Sequence, residues 1–121
     1  MSFQDDVAIL VQEGTIGVCW LVGDDQKIYY TYGDWAVDPL IPFNSFKSQD
    51  PIVGIDFGGG LRFTTIAMTP DRLITSNLGG QGHIMVAKCP KWAGCVITWS
   101  PADVEHRYAY ASAARLAAKV Q

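Results

Sequence analysis

Residues 71–88 read DRLITSNLGGQGHIMVAK, in which a glycine-rich break separates two runs of strand-forming residues. The runs Arg72 to Ser76 and His83 to Lys88 are rich in apolar and β-branched side chains, which favour strands. The break over Leu78 to Gly82 carries the glycines that tight connections need. A short connection of this kind joins strands that pair antiparallel. The stretch therefore predicts a β-hairpin.

The same pattern continues on both sides of this hairpin. Four further runs have the composition of strands, and turn-forming residues separate them. They are Gly17 to Val22, Lys27 to Tyr32, Val53 to Phe57 and Leu61 to Met68, and Cys95 to Trp99 adds a last one after the turn at Pro90 to Gly94. Sequential strands with short turns predict a central antiparallel sheet of about six or seven strands.

Both chain ends predict helices. Phe3, Val7, Leu10 and Val11 fall on one helical face, and Ser2 is placed to cap the helix start. At the other end, Ser100 and Pro101 are typical of a helix start, and alanine is frequent over residues 102–118. Residues 33–51 are irregular, with a short helix expected around residues 41–46. The sequence therefore predicts an α+β fold.

Length and composition indicate one globular domain over residues 1–121. The formal net charge of -3 disfavours nucleic acid as a partner, because duplex binding normally needs a basic face. Neither a secretory leader nor a membrane-spanning run is evident in the sequence, which favours the cytosol. Cys19, Cys89 and Cys95 are odd in number and lack CxxC spacing, so we expect free thiols.

Little in the sequence indicates catalysis. The two histidines, His83 and His106, have no nucleophile beside them in the sequence, and neither glycine-rich stretch matches a nucleotide-binding motif. No spaced set of ligands suggests a metal or a cofactor. The aromatic side chains expected at element ends and turns are typical of protein interfaces. We therefore expect a protein-binding domain and not an enzyme.

Several phrases of the sequence, in order along the chain, resemble those of profilins, in particular a divergent profilin of protist or archaeal type. Ser2-Phe3-Gln4 is similar to the family's opening Ser-Trp-Gln, and Gly54 to Ile66 (GIDFGGGLRFTTI) resembles GLxLGGxKYxVI. Leu73 to Lys88 resembles VIRGKKGxGGITIKK. The resemblance implies that both terminal helices pack side by side on one face of the sheet. It also implies a monomer in the cytoplasm, associated with the cytoskeleton.

The resemblance further implies three ligands: monomeric actin, proline-rich segments and acidic phosphoinositides. In the proline-binding cleft Phe3 and Tyr29 match family tryptophans, Asp6 replaces an aromatic residue, and the C-terminal aromatic position falls near Ala114 or Leu116. The residues that match the actin-binding face are Arg62, Thr64, Arg72, Lys88, Asp103, Glu105, His106 and Arg107. Phosphoinositide binding is expected to be weak or absent, because clustered lysines and arginines are few.

Two alternatives remain open at this stage. A Roadblock-type scaffold domain, which forms dimers that dock small GTPases, also runs helix, two strands, helix, three strands, helix. An enzyme would need one of the histidines in a closed pocket beside a thiol or a carboxylate.

Overall fold

The structure, a computed structural model, describes residues 2–50 and 54–121. Within these residues three helices and seven strands follow one another in the order α1 (Phe3–Gln12), β1 (Val18–Gly23), β2 (Ile28–Tyr32), α2 (Leu40–Ser48), β3 (Ile55–Asp56), β4 (Arg62–Thr69), β5 (Arg72–Ser76), β6 (His83–Lys88), β7 (Gly94–Ser100) and α3 (His106–Lys119).

The seven strands form one sheet in the order β2-β1-β7-β6-β5-β4-β3, and every neighbouring pair is antiparallel. The pairing of β1 with β7 attaches the N-terminal hairpin to the later strands. The predicted α+β fold with a central antiparallel sheet is confirmed. The strand expected over residues 53–57 is shorter, since β3 covers only Ile55–Asp56, and Val53 lies outside the described residues.

Helix α1 begins where the sequence predicts. The Ser2 hydroxyl accepts a hydrogen bond from the Asp5 amide, and the Asp5 carboxylate accepts one from the Ser2 amide. This reciprocal capping box satisfies two amides that a helix start leaves free.

The start of the last helix was predicted wrongly. Ser100 is the last residue of β7, where it pairs with His83 of β6, and α3 begins only at His106. The Ser100 backbone therefore belongs to the sheet, and residues 101–105 form the turn that leads into the helix. A serine followed by proline is a sound local signal for a helix start, but pairing with a neighbouring strand overrides it here.

The two faces of the sheet carry separate hydrophobic clusters. On the terminal-helix face, α1 and α3 pack side by side over the sheet, as predicted, with Leu10, Ala113 and Leu116 in contact with strand residues. On the other face, which we call the α2 face, Phe43 and Phe46 of α2 pack against rings and aliphatic side chains of the strands. No helix in the described part of the chain is both long enough and apolar enough to cross a membrane.

Candidate protein-binding surfaces

Four aromatic side chains lie in two pairs near the edge strand β2. The rings of Phe3 and Tyr30 meet edge to face with centroids 5.2 Å apart, and those of Tyr29 and Trp92 do the same at 5.1 Å. Such edge-to-face pairs are favoured by the charge distribution of the rings. We call these four residues the aromatic strip.

Both pairs of the strip lie on the terminal-helix face. Gly23 of β1 and Gly94 of β7 are cross-strand partners, so a side chain on either would point to the same face. A Cβ on Gly23 would lie 2.7 Å from Cε2 of Tyr29, and one on Gly94 would clash with the Trp92 ring. The two rings therefore cover a gap that the glycines leave open. Trp92 also packs against the core cluster of this face.

A β-bulge explains how two consecutive tyrosines share a face. Tyr30 pairs with Leu21 and Ile28 pairs with Val22, so Tyr29 is an extra residue opposite β1. Without the bulge, side-chain alternation would turn Tyr29 away from Tyr30. The bulge thus adds one ring to the strip.

A hydrogen bond holds the Tyr29 ring over Gly23. The Tyr29 hydroxyl donates to the Asp25 carboxylate in the hairpin turn. This bond lowers the pKa of the Asp25 carboxyl, which also accepts from the Lys27 amide, and it raises the pKa of Tyr29.

The other residues predicted for proline binding are placed differently. Tyr30, and not Tyr29, is the direct partner of Phe3. Leu116 lies on the inner side of α3 and is fully buried, so its side chain presents no surface to a ligand. The signal that pointed to Tyr29 was its alignment with a family tryptophan. No sequence signal identifies Tyr30 as the partner of Phe3, because that contact depends on the register of β2 against β1.

Asp6, at the place of a family aromatic residue, forms an ion pair between the terminal helices. Its side chain is 1% exposed and lies 3.3 Å from Nη2 of Arg115 and 3.7 Å from Nζ of Lys119. Both cations come from the last turns of α3. The beginning of α1 and the end of α3 are therefore joined by charge where the resemblance implies rings.

The eight residues predicted for actin binding fall into three groups. Arg72 and Lys88 lie together at one end of β5 and β6, beside Asp71 and Tyr110. The Arg72 guanidinium lies 5.4 Å from the centre of the Tyr110 ring, a cation–π distance. Because Tyr110 belongs to α3, this contact joins the strand ends to the last helix. We call Arg72, Lys88 and Tyr110 the strand-end patch.

Arg62 and Thr64 form a second group at the opposite end of this part of the sheet. They line a shallow depression together with Asn77 and Leu78 of the loop between β5 and β6. The Asn77 side chain donates to the Arg62 carbonyl oxygen, which fixes this loop against the start of β4.

The third group surrounds the start of α3. Asp103 and Glu105 line a groove between α3 and the end of α1, and so face away from the strand-end patch. Arg107 pairs with Glu105 at 2.9 Å and lies over the ring of Tyr108. His106, the first residue of α3, is exposed.

Apart from the exposed His106, the histidine and thiol groups of the chain are buried or hydrogen-bonded. His83 shares a hydrogen bond with the Ser76 hydroxyl across the β5–β6 ladder. Burial raises the thiol pKa of Cys19 and Cys95 to about 12 and that of Cys89 to about 11, which keeps all three thiols protonated near neutral pH. Within residues 2–50 and 54–121, no group of three or more His, Cys, Asp or Glu side chains is placed to hold a metal ion.

Comparison with known proteins identifies relatives over nearly the whole chain. Heimdall profilin, from Heimdallarchaeota archaeon (strain LC_2), is 39% identical over 120 residues, which is 97% of this chain and 96% of the relative. LokiProfilin1 has a crystal structure with a TM-score of 0.78 at 21% identity, covering 98% of this chain and 96% of that one. LokiProfilin2, in its complex with rabbit actin, has a TM-score of 0.79 at 20% identity and the same coverage. No family model matches the sequence.

These similarities decide between the two families that fit the predicted order of helices and strands, the profilins and the Roadblock-type domains. A Roadblock-type domain has three strands after its middle helix, whereas five follow α2 within the described residues. The Heimdall relative is similar from end to end, and the solved profilins share the fold. The chain therefore belongs to the profilin family.

Proposed function

We propose that this profilin binds monomeric actin and thereby regulates actin polymerisation. The family membership supports this, as does the similar fold of LokiProfilin2, which has been solved with rabbit actin. The proposed surface runs from Arg62 and Thr64 across the strand-end patch to the exposed His106 and Arg107 at the start of α3. The predicted residues Asp103 and Glu105 line the groove on the other side of α3 and are not part of this surface.

The observation that carries the proposal is the strand-end patch. Arg72 and Lys88 are exposed cations, and Tyr110 of α3 provides an aromatic surface beside them. Arginine and tyrosine are enriched among the residues that dominate binding energy at protein interfaces. The patch is supported by strands on one side and a helix on the other, so little order has to be gained on binding.

The test measures binding to rabbit skeletal-muscle actin monomers by analytical ultracentrifugation, together with the rate of spontaneous polymerisation. We expect a 1:1 complex and slower polymerisation. The variant Lys88→Glu should weaken binding about tenfold or more, the size expected when a charge at an interface is reversed (~1.4 kcal/mol).

The matched control is Lys27→Glu, at the hairpin beside β2. It changes the net charge equally at an exposed lysine that lies outside the proposed surface. Equal losses in the two variants would mean that only net charge matters. No complex with the wild-type protein, at concentrations where a solved actin-binding profilin forms one, would contradict the proposal.

The aromatic strip supports a second candidate function, weak binding of proline-rich segments. Proline rings in an extended polyproline II helix stack on flat aromatic surfaces, and the strip offers four rings on one face. We expect the binding to be weak, because Asp6 and the buried Leu116 supply no rings. Titration of the tryptophan fluorescence with decaproline tests this, and Phe3→Ala, which removes a ring of the strip but no tryptophan, should abolish the response.

We further propose that the chain has no catalytic role and acts as a monomer in the cytoplasm. The buried, protonated thiols support the first point, since the thiolate is the nucleophilic form. Phosphoinositide binding is expected to be weak or absent, because Arg62 and the strand-end cations lie in separate groups.

A further inference from the structure

The edge strand β2 has an unusual concentration of exposed apolar side chains. Of the six large apolar side chains that are exposed among the described residues, three lie on this five-residue strand: Ile28, Tyr29 and Tyr32, at 44%, 54% and 40%. In the described structure β2 pairs with β1 alone. Its outer backbone N–H and C=O groups therefore face away from the sheet.

Most devices that protect edge strands are absent from β2. Residues 28–32 contain neither a proline nor a charged residue, and the strand is five residues long. The opposite edge, β3, has only two residues. The bulge at Tyr29 interrupts the β2 ladder, but Tyr30 to Tyr32 remain regularly paired with β1.

From these features we propose that β2 is a docking edge, to which an extended segment of a partner protein adds as an eighth, antiparallel strand. Such strand addition takes affinity from main-chain hydrogen bonds and specificity from alternate side chains. On the terminal-helix face, alternate side chains of the segment would contact Tyr30 and Tyr32. On the α2 face, they would contact Ile28, which shares that face with Val22.

The charge around β2 determines the kind of segment. Its flanks carry Asp25 and Asp34 against one lysine, Lys27, while the nearby Asp24 is paired with Lys47 at 2.6 Å. Asp34 forms no ion pair within the described residues. If a second copy of this chain paired antiparallel with β2, each hairpin turn would lie beside the other copy's Asp34. Like charges would then meet at both ends. The occupant is therefore an apolar segment with lysine or arginine at its ends.

The proposal does not depend on actin binding, since β2 lies at the far edge of the sheet from β4 and β5. The probe is the capped peptide Lys-Thr-Val-Thr-Val-Thr-Val-Lys, added to the full chain. We expect slower hydrogen exchange at those amides of residues 28–32 that do not bond to β1. The same peptide with alternate amides N-methylated should have no such effect, because it has lost the donors of one edge.

Two comparisons separate this mode of binding from others. Decaproline has no backbone N–H and cannot add as a strand. If it slows the β2 amides as much as the probe does, the contact is made by ring stacking and the proposal is wrong. Concentration-dependent dimerisation through β2, with no response to the probe, would also overturn it in favour of a second copy.

The charge argument has its own test. A peptide with glutamate in place of the two lysines should bind about fivefold more weakly at low salt, as expected for two exposed ion pairs. Asp34→Lys should remove this preference. Asp50→Lys, an equal change at an exposed residue after α2, should leave it intact. A preference that survives Asp34→Lys would contradict the proposed role of the acidic flanks.

Discussion

The two faces of the sheet are covered in different ways. On the α2 face large rings fill the space, and the fully buried ones are Phe43, Phe57 and Phe63. On the terminal-helix face, α3 contributes small side chains at the contact, namely Ala109, Ala113 and Ala117. Small side chains at the contact let a helix lie close to the strands. On this face the helices themselves therefore cover the sheet.

This difference relates the packing to the proposed function. The aromatic strip and the strand-end patch both lie at the border of the terminal helices, since Phe3 belongs to α1 and Tyr110 belongs to α3. On the α2 face, by contrast, most large rings are buried, while Trp35 and Trp99 are half-buried. We infer that the α2 face mainly supplies stability, while the terminal-helix face positions exposed groups.

The largest effect on the free energy of unfolding is expected from removing an aromatic ring on the α2 face. Phe63 is fully buried, and its ring lies 5.4 Å from that of Phe57 and 6.1 Å from that of Trp35. Phe63→Ala should lower the free energy of unfolding by about 4 kcal/mol, through lost burial and the cavity left behind. Guanidinium denaturation measures the change. Ile66→Ala, at an exposed position of the same strand, is the control and should cost far less.

An intermediate effect is expected from the ion pair between the terminal helices. The double variant Arg115→Ala with Lys119→Ala leaves the buried Asp6 carboxylate without a counter-charge, which should cost about 3 kcal/mol. Asp6→Asn should cost less, because both cations are more than 40% exposed and can turn to water. The same denaturation measurement compares the two variants.

The triple variant that combines Asp6→Asn with both alanine substitutions completes this test. It should be more stable than the double variant, since no buried charge remains. If the triple variant were less stable than the double variant, the side chains would contribute through packing and not through charge.

What the sequence predicted correctly was encoded locally. Ser2 and Asp5 are three residues apart, and their capping box is formed as expected. The β5–β6 hairpin has the predicted bounds, because alternation and glycine content lie within one short stretch. Where a pattern and the structure it specifies share the same residues, elementary rules suffice.

What the sequence could not predict depends on distant residues. The residues around Ser100 predict a helix cap, and only the pairing of Ser100 with β6 in the folded chain makes it part of a strand. The bulge that turns Tyr29 beside Tyr30 arises from the register of β2 against β1. Asp6 and Arg115 are 109 positions apart, so their contact appears only in the folded chain.

The smallest effect is expected from the cap of α1, and it compares the helices of the two faces directly. Helix α1 has a capping box at Ser2, whereas the N-cap residue of α2, Pro39, makes no side-chain hydrogen bond, and α2 is held by the buried rings of Phe43 and Phe46. At the start of α2 the Leu40 amide donates to the Asp38 carboxylate instead. Ser2→Ala should therefore lower the free energy of unfolding by about 1 kcal/mol. It should also speed hydrogen exchange of the backbone amides in the first turn of α1, because the Asp5 amide then loses its bond to the Ser2 hydroxyl.

The control is Ser48→Ala, which removes a hydroxyl bonded to a carbonyl in α2 and should change stability little. Equal losses at Ser2 and Ser48 would mean that local capping matters no more on the terminal-helix face than on the face filled by rings.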